Sequence, residues 1–471
     1  MIVNGIKIQG NETLDVINPY NGEIVGKVHD ASVTEIHDAI MQSYNYNCEL
    51  SAKERADVLL KLADYFEKHK IELASLITLE SGLSLKDTIY ETGRVINCAR
   101  YSAKVCQLVE RDITDDYLLD KDNNPVLNVV TEPLDLIIGI TPFNHPMNQV
   151  AHKIFPAIAA GASIVVKPSE KTPLSAIKLV EILIECGLPP NMVNIVTGKD
   201  AEKTVNNMLS FHAIDMLTFT GGLSVGLKIQ NAMIHSGHAL RRYVPELGGC
   251  SSLIICDDAD LDHAVSIVIN GCFKNSGQRC TSIRRVIVEN KILDAFIEKL
   301  IPQVELLKYG NPFDENTDMG TVIDEDSAKM IEERINNAIS QGASLLYGGN
   351  RNRALLSPTV LDNVDLSMEL VAKETFGPVC SVIRALDFEN ALSLAKNTKY
   401  KLAGAIVTSD GIKAKRASEE LKVGQFNING PPGYRTEAAP FGGFGDSGNG
   451  EKEGVILAAQ GMRRIRTTYD H

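Results

Sequence analysis

Apolar positions change their spacing along the chain. In the first 30 residues, short alternating runs (IKIQG, EIVGKV) are broken by the turn signals Asn18-Pro19 and Asn21-Gly22, which predicts small antiparallel strands. From Ser51 the spacing becomes helical. Val58, Leu59, Leu62, Ala63 and Phe66 recur on one face behind Ser51-Ala-Lys-Glu54, which has capping-box spacing. Helix-compatible sequence continues to about Val109, and residues 112–128, acidic and turn-rich, read as a linker or an exposed hairpin.

From Leu134 onward, near-continuous apolar runs (LDLIIGIT, ASIVVK, MVNIVTG, AIDMLTFT) alternate with helical patterns. Strands without a polar face, interleaved with helices, predict a parallel sheet covered on both sides. A second such series, including SLIIC, RRVIVE, CSVIRAL and GAIVTSD, runs from Ser251 to about Asn429. The expected fold class is therefore α/β, with two such units in one chain.

The chain has 471 residues, with 47 Lys plus Arg against 60 Asp plus Glu, a formal charge of −13. That balance offers no global attraction to nucleic acid or to an anionic membrane, so an anionic ligand needs a local cluster of cations. The longest apolar stretch, about Phe155 to Val166, is interrupted by Gly161 and Ser163 and is too short to cross a bilayer. No basic leader precedes an apolar core at the N-terminus, and a cytoplasmic location is expected. The nine cysteines include no CxxC pair, so the question is whether one is a nucleophile. No metal site is expected. HExxH is absent, and the run Asp257-Asp258-Ala-Asp260-Leu-Asp262 lacks a calcium loop's Gly and Glu and reads as an acidic helix start.

Four segments could carry chemistry. Gly221-Gly222 ends a strand and opens a helix, where free N–H groups could receive phosphate or simply form a turn. The same stretch, Gly222-Leu-Ser224-Val-Gly226, matches a nucleophile elbow, but the histidines that follow are few and poorly placed for a serine hydrolase. Cys280, in Gly277-Gln-Arg279-Cys280, has a cationic neighbour that would lower its thiol pKa. Glu246, before Leu247-Gly248-Gly249, could act as a general base. Asn144, in Thr141-Pro142-Phe143-Asn144-His145-Pro146, follows a strand and could donate to an oxyanion.

In the order TPFNHP, KPSEKTP, FTGG, ELGG, GQRC, KETFGPV and PFGG, these segments resemble the aldehyde dehydrogenase superfamily over nearly the whole chain. The resemblance implies a Rossmann-type cofactor domain (1–112 and 134–246), an α/β catalytic domain (247–455) and a small β oligomerisation element (113–133 and 456–471) in a homodimer or homotetramer. It implies Cys280 as nucleophile, Asn144 as oxyanion donor and Glu246 as the base that activates water. NAD would be held by Thr141, Pro142, Phe143, Lys167, Ser169, Glu170, Gly221, Gly222, Ser224, Leu247, Glu374 and Phe376. Gly222 stands where the family often has Ser. Glu170, matching a ribose-binding carboxylate, would repel a 2′-phosphate and so favour NAD over NADP.

Substrate contacts are implied for Arg94, His145, Arg279, Thr281 and Arg435. Three arginines joined to a His after the catalytic Asn resemble phosphonoacetaldehyde dehydrogenases, so the expected substrate is a small anionic aldehyde oxidised to the free acid. The alternatives are non-phosphorylating glyceraldehyde-3-phosphate, sulfoacetaldehyde and lactaldehyde dehydrogenases. A non-catalytic paralogue is the other class in view, and the intact Cys280, Glu246 and Asn144 argue against it.

Overall fold

The computed structural model describes residues 1–110 and 126–470. Eleven strands organise it: β1 (Ile137–Ile140), β2 (Ile164–Lys167), β3 (Val193–Ile195), β4 (Met216–Thr220), β5 (Arg242–Glu246), β6 (Ser251–Ile255), β7 (Ile283–Glu289), β8 (Thr359–Asp362), β9 (Val379–Ala385), β10 (Ala403–Val407) and β11 (Gln425–Ile428). The first sheet runs β5-β4-β1-β2-β3 in parallel, then adds the N-terminal pair Ile2–Val3 and Ile6–Lys7 antiparallel at its edge. The second runs β8-β9-β7-β6-β10-β11 in parallel, with Ser344–Tyr347 antiparallel beyond β8. Strands such as β1, β2, β6 and β7 are buried at every position, as expected for a sheet covered on both faces. This is the expected α/β architecture.

Helices cover the first sheet because their apolar stripes match it. The Ala52–Lys68 helix buries Val58, Leu59, Leu62, Ala63 and Phe66, and its capping box is formed by Ser51 and Glu54 in both directions. It packs on α1 (Leu85–Leu108), which in turn packs on α2 (Pro146–Ala160). α2 starts at His145, has Pro146 in its first turn, and is buried along nearly its whole length. α3 (Leu223–His235) follows β4, and α4 (Leu261–Phe273) precedes the cysteine loop.

Two local expectations change. The segment 112–128 falls mostly outside the described residues, but Val126–Pro133 forms a strand paired along its length with Arg463–Asp470 rather than a linker. The acidic run divides its work. Asp260 caps α4 through the N–H groups of Asp262 and His263, whereas Asp258 accepts bonds from Thr408, Ser409 and Asp410. Only tertiary packing brings that second turn within reach.

Replacing Ser51 by Ala removes one of the two reciprocal cap bonds. It should cost about 1 kcal/mol, read from the midpoint of urea unfolding. An unchanged midpoint would mean that the cap carries none of the helix's stability.

Candidate active site

Chain direction concentrates the site. β1, β2, β4 and β5 are parallel, so the residues following each emerge at one edge of the first sheet: Thr141–Asn144, Lys167–Glu170, Gly221-Gly222 and Glu246. Cys280 comes to this edge from the other unit, on a loop after α4. The loop turns through two consecutive left-handed residues, Asn275 (φ 62°) and Ser276 (φ 52°). Such backbone costs on the order of 1–3 kcal/mol per residue and needs outside support. Asp87 of α1 accepts from the Asn275 N–H at 2.9 Å, the Asn275 amide donates to the Asn144 and Gln278 carbonyls, and Ser276 Oγ donates to the Gly320 carbonyl.

Asn144 Nδ2 donates to the Gln278 carbonyl at 2.8 Å, which fixes its orientation and leaves its second N–H for another acceptor. The glycines of ELGG are there for close approach. A Cβ on Gly248 would overlap the Glu374 carboxylate, and one on Gly249 would overlap the Cys280 carbonyl. Glu246 is buried at 3% exposure, and neither of its carboxylate oxygens has a hydrogen-bond partner. Burial pushes its pKa well up, the nearby Glu453 adds to this, and Lys153, Arg435 and Lys452 only partly oppose it. Once ionised, a carboxylate with free lone pairs can take a proton from water, and a raised pKa makes it the stronger base.

The Cys280 thiol departs from expectation. Arg279 and Arg435 do lower its pKa, but burial, Glu374 and Glu246 outweigh them and push it up to about 12. The resting group is the thiol, not the thiolate. Glu374 is itself raised to about 7 by burial, and one of its oxygens accepts from the Gly249 N–H.

A dinucleotide fits the sheet edge. Gly222 is the N-cap of α3 without a side-chain cap, and a Cβ there would meet nothing within 4 Å, which leaves the helix start open to a phosphate. The buried Thr141 hydroxyl has no partner. Lys167 Nζ lies 3.6 Å from Glu170, and the Phe143 and Phe376 rings meet edge-on at 6.0 Å. Ser169 Oγ is taken up by the Lys171 N–H, and Leu247 is buried. Ser224 is exposed in the first turn of α3 and, among the described residues, hydrogen-bonds no histidine; the rings of His235, His238 and His263 rest on backbone carbonyls.

Beside the thiol lies a cavity of about 60 Å³ lined by Arg94, Asn144, His145, Arg279, Thr281 and Arg435, together with Asp87, Tyr90 and Lys274. Among the described residues, Arg279 Nε and Arg435 Nη1 are buried without partners. A guanidinium stays charged in proteins, and each of the two keeps a free donor, although Arg279 Nη2 donates to the Asn270 and Gly271 carbonyls and Asp87 and Glu437 act favourably on the two charges. Arg94 differs from expectation. Its guanidinium is held bidentately by Glu437, at 2.6 and 3.0 Å, so its charge is already balanced. Lys274, six residues before Cys280, supplies a third cation instead, with Nζ 3.5 Å from the Tyr90 ring centre. Its cue in the sequence was a charge just ahead of GQRC.

The model of the aldehyde dehydrogenase family matches residues 6–467. This chain belongs to that family. A lactaldehyde dehydrogenase of Methanococcus aeolicus is 36% identical, with 99% of each chain covered. A 3-sulfolactaldehyde dehydrogenase of Priestia aryabhattai is 33% identical over 99% of this chain and 96% of its own. The glyceraldehyde-3-phosphate dehydrogenase GapN of Methanocaldococcus jannaschii, solved with NADP, superposes at a TM-score of 0.91 with 34% identity, covering 98% of this chain and 100% of its own. The protein is thus an oxidoreductase acting on aldehydes, with a pyridine nucleotide as its cofactor class. Among its described residues no helix is long and apolar enough to cross a membrane.

A thiol near 12 makes a kinetic prediction for this aldehyde dehydrogenase without cofactor. Alkylation of Cys280 by iodoacetamide, followed by mass spectrometry, should rise about tenfold per pH unit up to pH 10. A plateau below pH 9 would mean that the thiolate already dominates in the resting enzyme.

Proposed function

We propose that this aldehyde dehydrogenase oxidises a short aldehyde carrying an oxyanion at its far end to the free acid. The observation that carries this reading is the pair of buried, unpartnered guanidinium nitrogens of Arg279 and Arg435 beside Cys280. Sulfonate, phosphate ester and phosphonate share the tetrahedral oxygen geometry that two guanidinium forks and an ammonium would bind. The names of the relatives favour 3-sulfolactaldehyde or glyceraldehyde 3-phosphate, with lactaldehyde as the weaker fit to three cations. Phosphonoacetaldehyde is a second reading, favoured by His145 on the cavity wall next to Asn144; none of these three relatives bears that name.

In the proposed cycle Cys280 passes its proton to solvent water and its sulfur bonds to the aldehyde carbon. The developing oxyanion accepts from the Asn144 amide and the Cys280 N–H, which is worth about 3–4 kcal/mol in comparable sites. The bound dinucleotide would supply the two-electron acceptor, leaving a thioester on Cys280. Glu246 then takes a proton from water, whose oxygen adds to the thioester carbon; the C–S bond breaks, and the acid departs. Lys167, Glu170, Gly221, Gly222, Glu374 and Phe376 would hold the dinucleotide, and the Glu170 carboxylate supports NAD over NADP. We also propose the 1–112/134–246 and 247–455 division into cofactor and catalytic domains. The paired strands Val126–Pro133 and Arg463–Asp470 are the proposed contact of a homo-oligomer.

Three substitutions test the scheme. Cys280→Ala should abolish reduced-nucleotide formation, and persisting turnover would remove Cys280 from the chemistry. Glu246→Gln should retain a burst of about one reduced nucleotide per site with a steady state slowed by two to three orders of magnitude; an unaltered steady state would relieve Glu246 of its role. Arg435→Ala should raise KM at least about tenfold for glyceraldehyde 3-phosphate, 3-sulfolactaldehyde or phosphonoacetaldehyde, whichever is turned over, and leave propionaldehyde nearly unchanged. Equal losses on charged and neutral aldehydes would refute the oxyanion reading.

A further inference from the structure

α1 turns one face to the substrate cavity. Asp87, Tyr90, Glu91 and Arg94 recur at helical spacing. Asp87 supports the cysteine loop, Tyr90 lies under Lys274, and Arg94 is paired with Glu437. Glu91 is fully buried and does not line the cavity. Its Oε1 accepts from the Met147 and Asn148 N–H groups, at 3.0 and 2.9 Å, and so satisfies two free donors at the start of α2. Its Oε2 lies 3.5 Å from the buried His145 Nδ1, and among the described residues neither atom has a hydrogen-bond partner. His145 is the N-cap of α2, follows Asn144 directly, and lines the cavity with Arg279 and Arg435.

We propose that Glu91 is a positioning residue for substrate specificity: when an anion is bound, its free carboxylate oxygen faces Nδ1–H of a His145 imidazolium, whose Nε2–H is then the donor to the substrate's oxyanion. A buried carboxylate behind an imidazole holds one tautomer and balances the imidazolium when an anion sits in front of it. One side chain thereby performs two tasks. Oε1 holds the helix end that places Asn144, and Oε2 aims the neighbouring ring at the far end of the same substrate. The inference rests on the anionic-aldehyde reading.

The test is protection of Cys280 against iodoacetamide by phosphonoacetate, a non-reacting anion that probes the cavity without requiring turnover. Glu91→Gln keeps an oxygen for the two α2 N–H groups but removes the carboxylate facing His145. Relative to the variant's own unprotected alkylation rate, it should raise the half-protecting concentration at least about tenfold. His145→Gln should do the same, and the double variant should be no worse than His145→Gln alone, because the two act as a unit. Normal protection in Glu91→Gln, additive losses in the double variant, or a changed unprotected rate with an unchanged half-protecting concentration would each overturn the proposal. A measurement on the unaltered protein stands beside these: the ¹⁵N spectrum of His145 with phosphonoacetate bound should show both ring nitrogens protonated, and a bare nitrogen at either position would overturn it equally. The underlying reading fails in a different pattern. If phosphonoacetate gives no protection, or Arg279→Ala and Arg435→Ala leave protection intact, the oxyanion cavity itself is wrong. If those two variants respond and Glu91→Gln does not, only the role of Glu91 falls.

Discussion

The site depends on one strained turn. Asn275 and Ser276 both sit in left-handed backbone, and everything that places Cys280 follows from how that turn is held. Its supports come from both halves of the chain. Asp87 and Asn144 belong to the side of the first sheet, Gly320 to that of the second. Gln278 extends the bracing, donating to the Thr321 carbonyl while its oxygen accepts from Ile323 N–H. The fully buried Arg284 donates to the Gly277 and Gly377 carbonyls. Strain of this kind persists only where the surroundings over-determine it, and here the supports are also the wall of the site. Cys280, Asn144 and the cavity are therefore a single mechanical object spanning the two sheets.

Charge in the cavity follows a related economy. Each buried cation is either balanced at once or left wanting. Arg94 is balanced by Glu437, which also meets His152 Nε2 at 2.6 Å and so ties α1, α2 and the Arg435 loop together. Arg279 and Arg435 keep nitrogens with no acceptor. Burying a charge unpaired is costly unless a partner completes it, and these two residues stand in the cavity wall beside the thiol. Two carboxyls also act on the thiol. Glu246 and Glu374 both have raised pKa values, and both push the Cys280 thiol toward its neutral form.

Much of this was legible in the chain. Uninterrupted apolar runs alternating with helical stripes foretold both parallel sheets, because a strand with no polar face has only one kind of environment. The Ser51–Glu54 cap was readable because it is local, its partners three residues apart. Asn144, Glu246 and Cys280 were visible because each lies in a motif at a strand end or next to glycines, and the structure brings them to one edge. Reading Arg279 as an activator of Cys280 failed on a question of magnitude. The neighbour in sequence is indeed a cation, but burial and two carboxylates from distant segments outweigh it.

The sequence by itself determined which segments are strands and helices, where the chain turns, and which residue types stand at the strand ends, since these depend on neighbours a few positions away. Only the tertiary structure decided which charges are spent and which are free. Arg94 and Glu437 are 343 positions apart, and Glu91 and Met147 are 56. No periodicity announces such pairs, because they exist only once α1, α2 and the Arg435 loop have packed around the same cavity.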